Sequence, residues 1–423
     1  MTTTRLKNLL LTGLAVAQLV LMTPMPAPGQ SVVEAIKDWT KVDVADRPDF
    51  LSLPIVDSAL SKPESAKVKQ LLWDDHVAQL REQREQEWKD KSIKLGDLKM
   101  KFDYRVFGEK PESGRRLFIS MHGGGGTRAS VNDRQWQNQI GLYKPKEGVY
   151  LAPRAPNDAW DMWHQEHIDK FFHRIIEDAI LFEDVDVNRV YVMGYSAGGD
   201  GVYKLAPRMA DSLAAAAMMA GHPNGASPAN LRNIGFALHM GEKDGAYKRN
   251  KIAERWKTDL AKLQQADSAG YQHQAQIHEG LGHWMDRKDA VAVPWMSKFE
   301  RDPNPSKVVW KQTGVQRKDF YWLAVTDGHD VTSKHNLVVA RKDQKFTIES
   351  SDGLTAMKLN LNDAIVNLDE PISVYRDGKE IYQDKAIRTS RSIYQSIQNH
   401  GDSERIYSAQ AIVDFEEAEP KEG

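Results

Sequence analysis

The chain has 423 residues, enough for two or three domains, and its apolar content of 41% can furnish sizeable cores. Lysine and arginine number 57 against 59 aspartates and glutamates, so charge gives no field for nucleic acid or for an anionic membrane surface. There is no cysteine, which excludes disulfides, thiolate metal sites, a cysteine nucleophile and a lipid-modified cysteine anchor.

Arg5 and Lys7 precede an uncharged run over 9–22, followed by a Pro/Gly-containing stretch to Gln30. Fourteen residues are short for a membrane span and suit the apolar region of a signal peptide, with Ala27-Pro28-Gly29 as a cleavage site. The expectation is a signal peptide over 1–29 and a secreted or periplasmic protein that is off the membrane after cleavage. An uncleaved anchor is the alternative. Residues 30–96 read as mostly helical. Ser61-Lys62-Pro63-Glu64 is a capping-box start. Leu72, Val77, Leu80 and Trp88 follow at roughly one-face spacing, which predicts a surface helix packed on the main domain.

From Leu98 the period shifts toward strands. Residues 98–107 alternate, 111–114 read as a turn, and 116–121 lead into His122-Gly123-Gly124-Gly125-Gly126. Four consecutive glycines cost backbone entropy and make sense where N–H groups must approach a ligand. A phosphate loop is the rival, but no Gly-Lys-Ser/Thr follows. A further buried strand spans 148–153. Trp160 and Trp163 then stand in a loop, either as packing residues or as an aromatic wall for a substrate. His164 and His167 alone are a weak metal signal. A helix is expected near 168–182.

Residues 190–200 read VYVMGYSAGGD. An apolar strand runs into a serine flanked by glycines at −2 and +2, the G-x-S-x-G pattern of a nucleophile elbow. Such a string arises by chance about 0.1 times in a chain of this size, so its neighbours must carry the reading. A helix over 202–206 is expected after it, with Pro207 ending or kinking it. Strands are expected at 214–220, 233–240 and 271–278, with a helix over 249–264 between the last two. Strands alternating with helices predict a mainly parallel α/β sheet. Asp244 and His283 each stand just past a strand, where such a sheet places its site. Asp244 lies 48 residues after Ser196, and His283 lies 39 residues after Asp244.

Beyond 301–305 the composition turns to short alternating strands, at 308–310, 320–325, 337–339, 346–350 and 372–375. Asp377-Gly378 reads as a hairpin turn, a helix as lying near 388–397 and a last strand as 406–415. This predicts a small β-rich domain over 303–416 and an acidic tail over 417–423. Trp310, Phe320, Tyr321 and Trp322 are either its core or a polymer-binding face.

Residues 98–300 resemble an α/β hydrolase, and particularly the polyhydroxybutyrate depolymerase and feruloyl esterase group of secreted esterases. The resemblance is carried by His122–Gly126, Gly194–Gly199, Asp244, Gly282-His283-Trp284 and the approach 187–191. Ala159 departs from it, standing where depolymerases of the group have a cysteine before Trp-x-Trp. The resemblance implies an α/β-hydrolase catalytic domain over 97–302 and esterase activity, on a small-molecule or polymeric ester.

In the residue-level reading, Ser196 is the nucleophile, His283 the base and Asp244 its partner. The N–H groups of Ala197 and of the glycines 123–125, Gly123 and Gly124 foremost, hold the oxyanion, and His122 is structural. Trp160 and Trp163 are the candidate substrate contacts. The reading needs no cofactor and no metal, and the C-terminal domain is a candidate for polymer contact. A prolyl-oligopeptidase-like peptidase and a non-catalytic binding protein on the same scaffold are the alternatives.

Overall fold

The computed structural model describes residues 30–415. The signal segment expected over 1–29 and the acidic tail over 417–423 lie outside them. Among the described residues no helix is long and apolar enough to cross a membrane.

An eight-stranded sheet organises the first three hundred residues. Its strands are β1 (Ser92–Leu95), β2 (Leu98–Phe107), β3 (Arg115–Met121), β4 (Gly148–Arg154), β5 (Val185–Tyr195), β6 (Ala215–Met219), β7 (Gly235–Gly241) and β8 (His273–His278). They lie side by side in the order β1-β2-β4-β3-β5-β6-β7-β8. Pairing is parallel from β4 through β8 and antiparallel only for β1–β2 and β2–β4. The central strands β4, β6 and β7 are buried along their whole length, which is why they read as unbroken apolar runs rather than alternations. Helices α3 (Ala129–Ile140), α4 (His167–Glu183), α5 (Ala197–Arg208), α6 (Arg249–Ala266) and α7 (Ala292–Met296) follow strands and flank the sheet. This order, with a serine turn after β5, is the α/β-hydrolase fold.

Two helices precede the sheet, α1 (Val32–Thr40) and α2 (Lys62–Lys89). The capping box forms as expected: Glu64 Oε2 accepts from Ser61 N at 2.9 Å, and Ser61 Oγ accepts from Glu64 N at 3.4 Å. The expected docking of α2 on the sheet region alone is incomplete. Trp88 near its C-terminal end packs on Phe102 and Tyr104 of β2. Its N-terminal half, with Val68 and Leu72, joins Ile36, Trp39 and Phe50 in a separate cluster with Ile393, Ile397 and Ile406 from the far end of the chain.

The C-terminal part holds two sheets and one helix, α8 (Ser390–His400). One sheet contains β9 (Lys307–Lys311), β12 (Asn336–Lys342), β13 (Lys345–Asp352), β15 (Ile372–Arg376) and β16 (Lys379–Asp384). The other contains β10 (Asp319–Phe320), β11 (Leu323–Ala324), β14 (Ala356–Leu361) and β17 (Ala409–Asp414). Asp377 and Gly378, both at positive φ (51° and 80°), turn β15 into β16 as a two-residue hairpin. The single strand expected over 320–325 is instead two short strands folded back at Tyr321-Trp322, with Tyr321 at φ 53°. Trp310, Phe320, Tyr321 and Trp322 are all buried, so these four form core and no exposed face.

The two parts share one continuous apolar cluster, and a buried ionic seam runs between them. Asp211, just past α5, accepts from Arg317 at 3.1 Å through each oxygen and pairs with Arg405 at 2.8 Å. Arg301 donates to Asp402 at 2.5 and 3.2 Å and to the Asp211 carbonyl at 2.9 Å.

Candidate functional site

β5 ends at Tyr195 and α5 begins at Ala197, so Ser196 alone makes the turn. The helix therefore starts five residues earlier than its apolar run suggests, and it contains Pro207 just before its end. The glycines that obscured its start are there for packing. A Cβ on Gly194 would sit 2.3 Å from the Gly198 carbonyl oxygen, and one on Gly198 would sit 2.1 Å from that of Met121. Strand end, helix start and neighbouring strand touch backbone to backbone. Ser196 itself is held at φ 58°, ψ −118°, a strained conformation costing on the order of 1–3 kcal/mol. Its N–H donates to the Met219 carbonyl at 2.9 Å. The strain lifts Oγ clear of the sheet.

Three strand ends bring the expected trio together. His283, on the turn after β8, places Nε2 3.0 Å from Ser196 Oγ. Its Nδ1 lies 2.7 Å from Asp244 Oδ2, on the turn after β7. Asp244 is 2% exposed while the His283 side chain is 43% exposed, so the relay runs from a dry carboxylate to a wet imidazole. Arg249 Nη1 stands 3.8 Å from Asp244 Oδ1.

The residue before the serine has a position that the sequence did not reveal. Tyr195 Oη donates to the His283 carbonyl at 2.5 Å and accepts from Met285 N–H at 3.1 Å. One phenol thus pins the backbone that follows the imidazole, on both sides of Trp284. Burial raises its pKa well above that of a free tyrosine, so it stays a donor.

The glycine loop after β3 lies against the serine. A Cβ on Gly123 would be 3.2 Å from Ser196 Cβ, and Gly124 has φ +107°. Ala197, as the first residue of α5, has no helical acceptor for its N–H. Gly125 is a correction to the expected donor set: its N–H donates to Asn132 Oδ1 at 2.9 Å and is not free. Asn132, on α3, also donates to Asp158 at 2.7 Å and so ties the loop to the turn after β4. An asparagine six residues after the glycine run was the only signal, and a polar helix hid it.

His122 is buried. Its Nδ1–H donates to the Gly123 carbonyl at 2.6 Å and its Nε2 accepts from Ala155 N–H at 3.1 Å. Burial lowers its pKa to about 4, and the neutral ring uses both nitrogens to hold the loop. The two tryptophans separate. Trp163 is 1% exposed and donates to the His122 carbonyl at 3.0 Å, so it props the loop from beneath and cannot wall an open pocket. Trp160 is 65% exposed beside Gly125 and Gly126. Trp284 and Tyr247 are also exposed, next to His283 and three residues past Asp244. His164 and His167 meet no further ligands, and among the described residues no group of three or more potential metal ligands occurs.

No family model and no curated protein matches the chain. Among solved structures it is similar to a thermostable esterase at 18% identity, over 50% of this chain and 62% of that one, with a TM-score of 0.37. It is also similar to the feruloyl esterase module from Clostridium thermocellum complexed with sinapinate (14% identity, 49% and 86%, TM-score 0.37). A putative dipeptidyl aminopeptidase IV from Bacteroides ovatus matches at 12% identity over 49% and 35%, with a TM-score of 0.35. The chain spans less than two thirds of the length of the first of these. The class, an α/β-hydrolase fold, rests on the sheet order and serine turn of this chain.

Proposed function

We propose that this chain is an exported serine hydrolase that cleaves carboxylic esters. The observation that carries the reading is the relay itself: a strained, solvent-reaching Ser196 Oγ 3.0 Å from His283 Nε2, whose other nitrogen meets a buried carboxylate at 2.7 Å. Hydrogen bonds of this length and order let His283 take the Ser196 proton as Oγ bonds to the ester carbonyl carbon. Negative charge then develops on the carbonyl oxygen. In this reading the N–H groups of Ala197 and of Gly123 or Gly124 hold that oxygen, and the start of α5 adds the positive end of its dipole. Collapse breaks the ester C–O bond, and His283 returns its proton to the departing alcohol. Water then attacks the acyl-serine while His283 takes a proton from it, and collapse breaks the bond to Ser196 Oγ, which takes that proton back from His283 as the carboxylic acid leaves. Asp244 stays ionised throughout and stabilises the imidazolium.

The testing measurement is hydrolysis of a short-chain aryl ester series by the wild type and by Ser196→Ala, alongside labelling with a serine-directed phosphonate. Turnover is expected to fall by about 10⁶ in the variant, and labelling should vanish. A folded wild type that neither hydrolyses the esters nor takes the label would end this reading. Faster cleavage of peptide amides than of esters would move it to a peptidase.

A further inference from the structure

A second cavity, of about 480 Å³, opens in the C-terminal part between the last turns of α8 and the sheet β10-β11-β14-β17. It lies beyond the far end of α5 from Ser196. α5 is roughly 18 Å long at 1.5 Å per residue, and Asp319 of the cavity reaches that end through Arg317 and Asp211. A molecule bound here does not touch the serine site.

The chemistry of its walls narrows what could bind. Asp319 sits at its floor, with one oxygen engaged by Arg317 and Arg405 and its side chain still 30% exposed. His400 is 94% buried by side chain, 4.0 Å from Asp319 and beyond hydrogen-bond distance. Among the described residues neither ring nitrogen has a hydrogen-bond partner in the protein. Asn360, also buried, accepts from Gln410 at 3.1 Å. Gln395 and Asn399, one helical turn apart on α8, add two further side-chain amides with no protein partner.

The lining thus mixes donors and acceptors, and several of its polar side chains have no protein partner among the described residues and are left to a ligand or water. An apolar guest would strand those groups. A phosphate or sulfate would meet Lys318 and Lys358 but also the Asp319 carboxylate, whose second oxygen is held by neither arginine and repels it. The acids are already tied, Asp319 to arginines and Asp327 to Lys358 at 3.3 Å, which leaves no ligand set for a cation. Vicinal hydroxyls, which donate and accept at once, fit amides and a carboxylate in this mixture.

We propose that this cavity is a binding site for a neutral carbohydrate, remote from Ser196 and independent of the hydrolase reading. A sugar held there is tethered and not cut. The test is calorimetric titration of the full chain with xylohexaose, cellohexaose and chitohexaose, with hexagalacturonate as the charged comparison. Saturable binding of a neutral hexasaccharide, insensitive to salt, is expected. The double variant Gln395→Ala, Asn399→Ala alters rim positions, so its thermal midpoint should match the wild type. Its affinity should fall by about tenfold, as the loss of two net hydrogen bonds implies. No saturable binding of any neutral probe, unchanged affinity in the double variant, or salt-sensitive preference for hexagalacturonate would each overturn the proposal.

Discussion

The serine site and the ionic seam stand at opposite ends of α5, and both are built from carboxylates facing nitrogen cations or imidazole. They differ in water. The His283 side chain is 43% exposed and Ser196 is held in a strained turn, whereas Asp211 and Arg405 are 0% and 2% exposed and ion-paired at 2.8 Å. A wet, strained cluster gives little to stability. A dry, ion-paired cluster cannot lose one partner without stranding a buried charge. The contrast teaches where each kind of substitution should register: chemistry at one end of the helix, stability at the other.

Asp244→Asn should give the largest effect short of removing the serine. It keeps the shape but favours the wrong His283 tautomer, and turnover should fall by about 10⁴ with the thermal midpoint little changed. Comparable loss of stability and activity would break the contrast from the site's end. Asp211→Asn tests the other end. Arg317 and Arg405 would be left with Asp319 alone, and chemical denaturation should show a loss of about 3–5 kcal/mol. Turnover per folded molecule should stay at the wild-type value.

Acid should act on the buried parts next. Burial lowers the pKa of His122 and His400 to about 4 and of His239 to about 3, from 6.5 when unfolded. Between pH 6.5 and 4 the unfolded chain therefore binds protons that the folded chain refuses. Stability should fall as pH drops through that window, by up to about 1.4 kcal/mol per pH unit for each of these histidines. Thermal melts across pH 4–7 check the sign, and a flat profile would contradict neutral, buried rings.

The smallest effect sharpens the comparison. Tyr195→Phe removes the phenol that pins His283 and Met285 but touches no reacting atom. We expect kcat to fall about tenfold with KM held, from a misplacement of the base. The acidic limb of the pH–rate profile should also move. A fall confined to thermal stability would reduce Tyr195 to packing.

The parallel sheet was legible because its central strands β4, β6 and β7 are runs buried along their whole length, and burial on both faces leaves such runs little alternative. The trio was legible for a related reason, since Ser196, Asp244 and His283 each follow a strand end. The start of α5 was not, because three glycines in its first five residues argue against helix by propensity while close packing demands them. α3 was missed because it is polar, with only Asn132, Gln139 and Ile140 buried. Spacing could not tell the exposed Trp160 from the buried Trp163. The seam left no local trace, since Asp211 and Arg317 lie 106 residues apart.

The cluster joining α1 and α2 to α8 has a consequence for the order of synthesis. Arg391 pairs with Asp57 across 334 residues, and Ile393 and Ile397 cover the apolar faces of Ile36 and Val68. The helices of residues 32–72 thus cannot bury this apolar side until residues 393–406 have been made. Closing so long a loop is slow, and the waiting helices expose surface that other chains can capture. Holdase chaperones should therefore bind residues 30–72 during translation and release them only after α8 emerges.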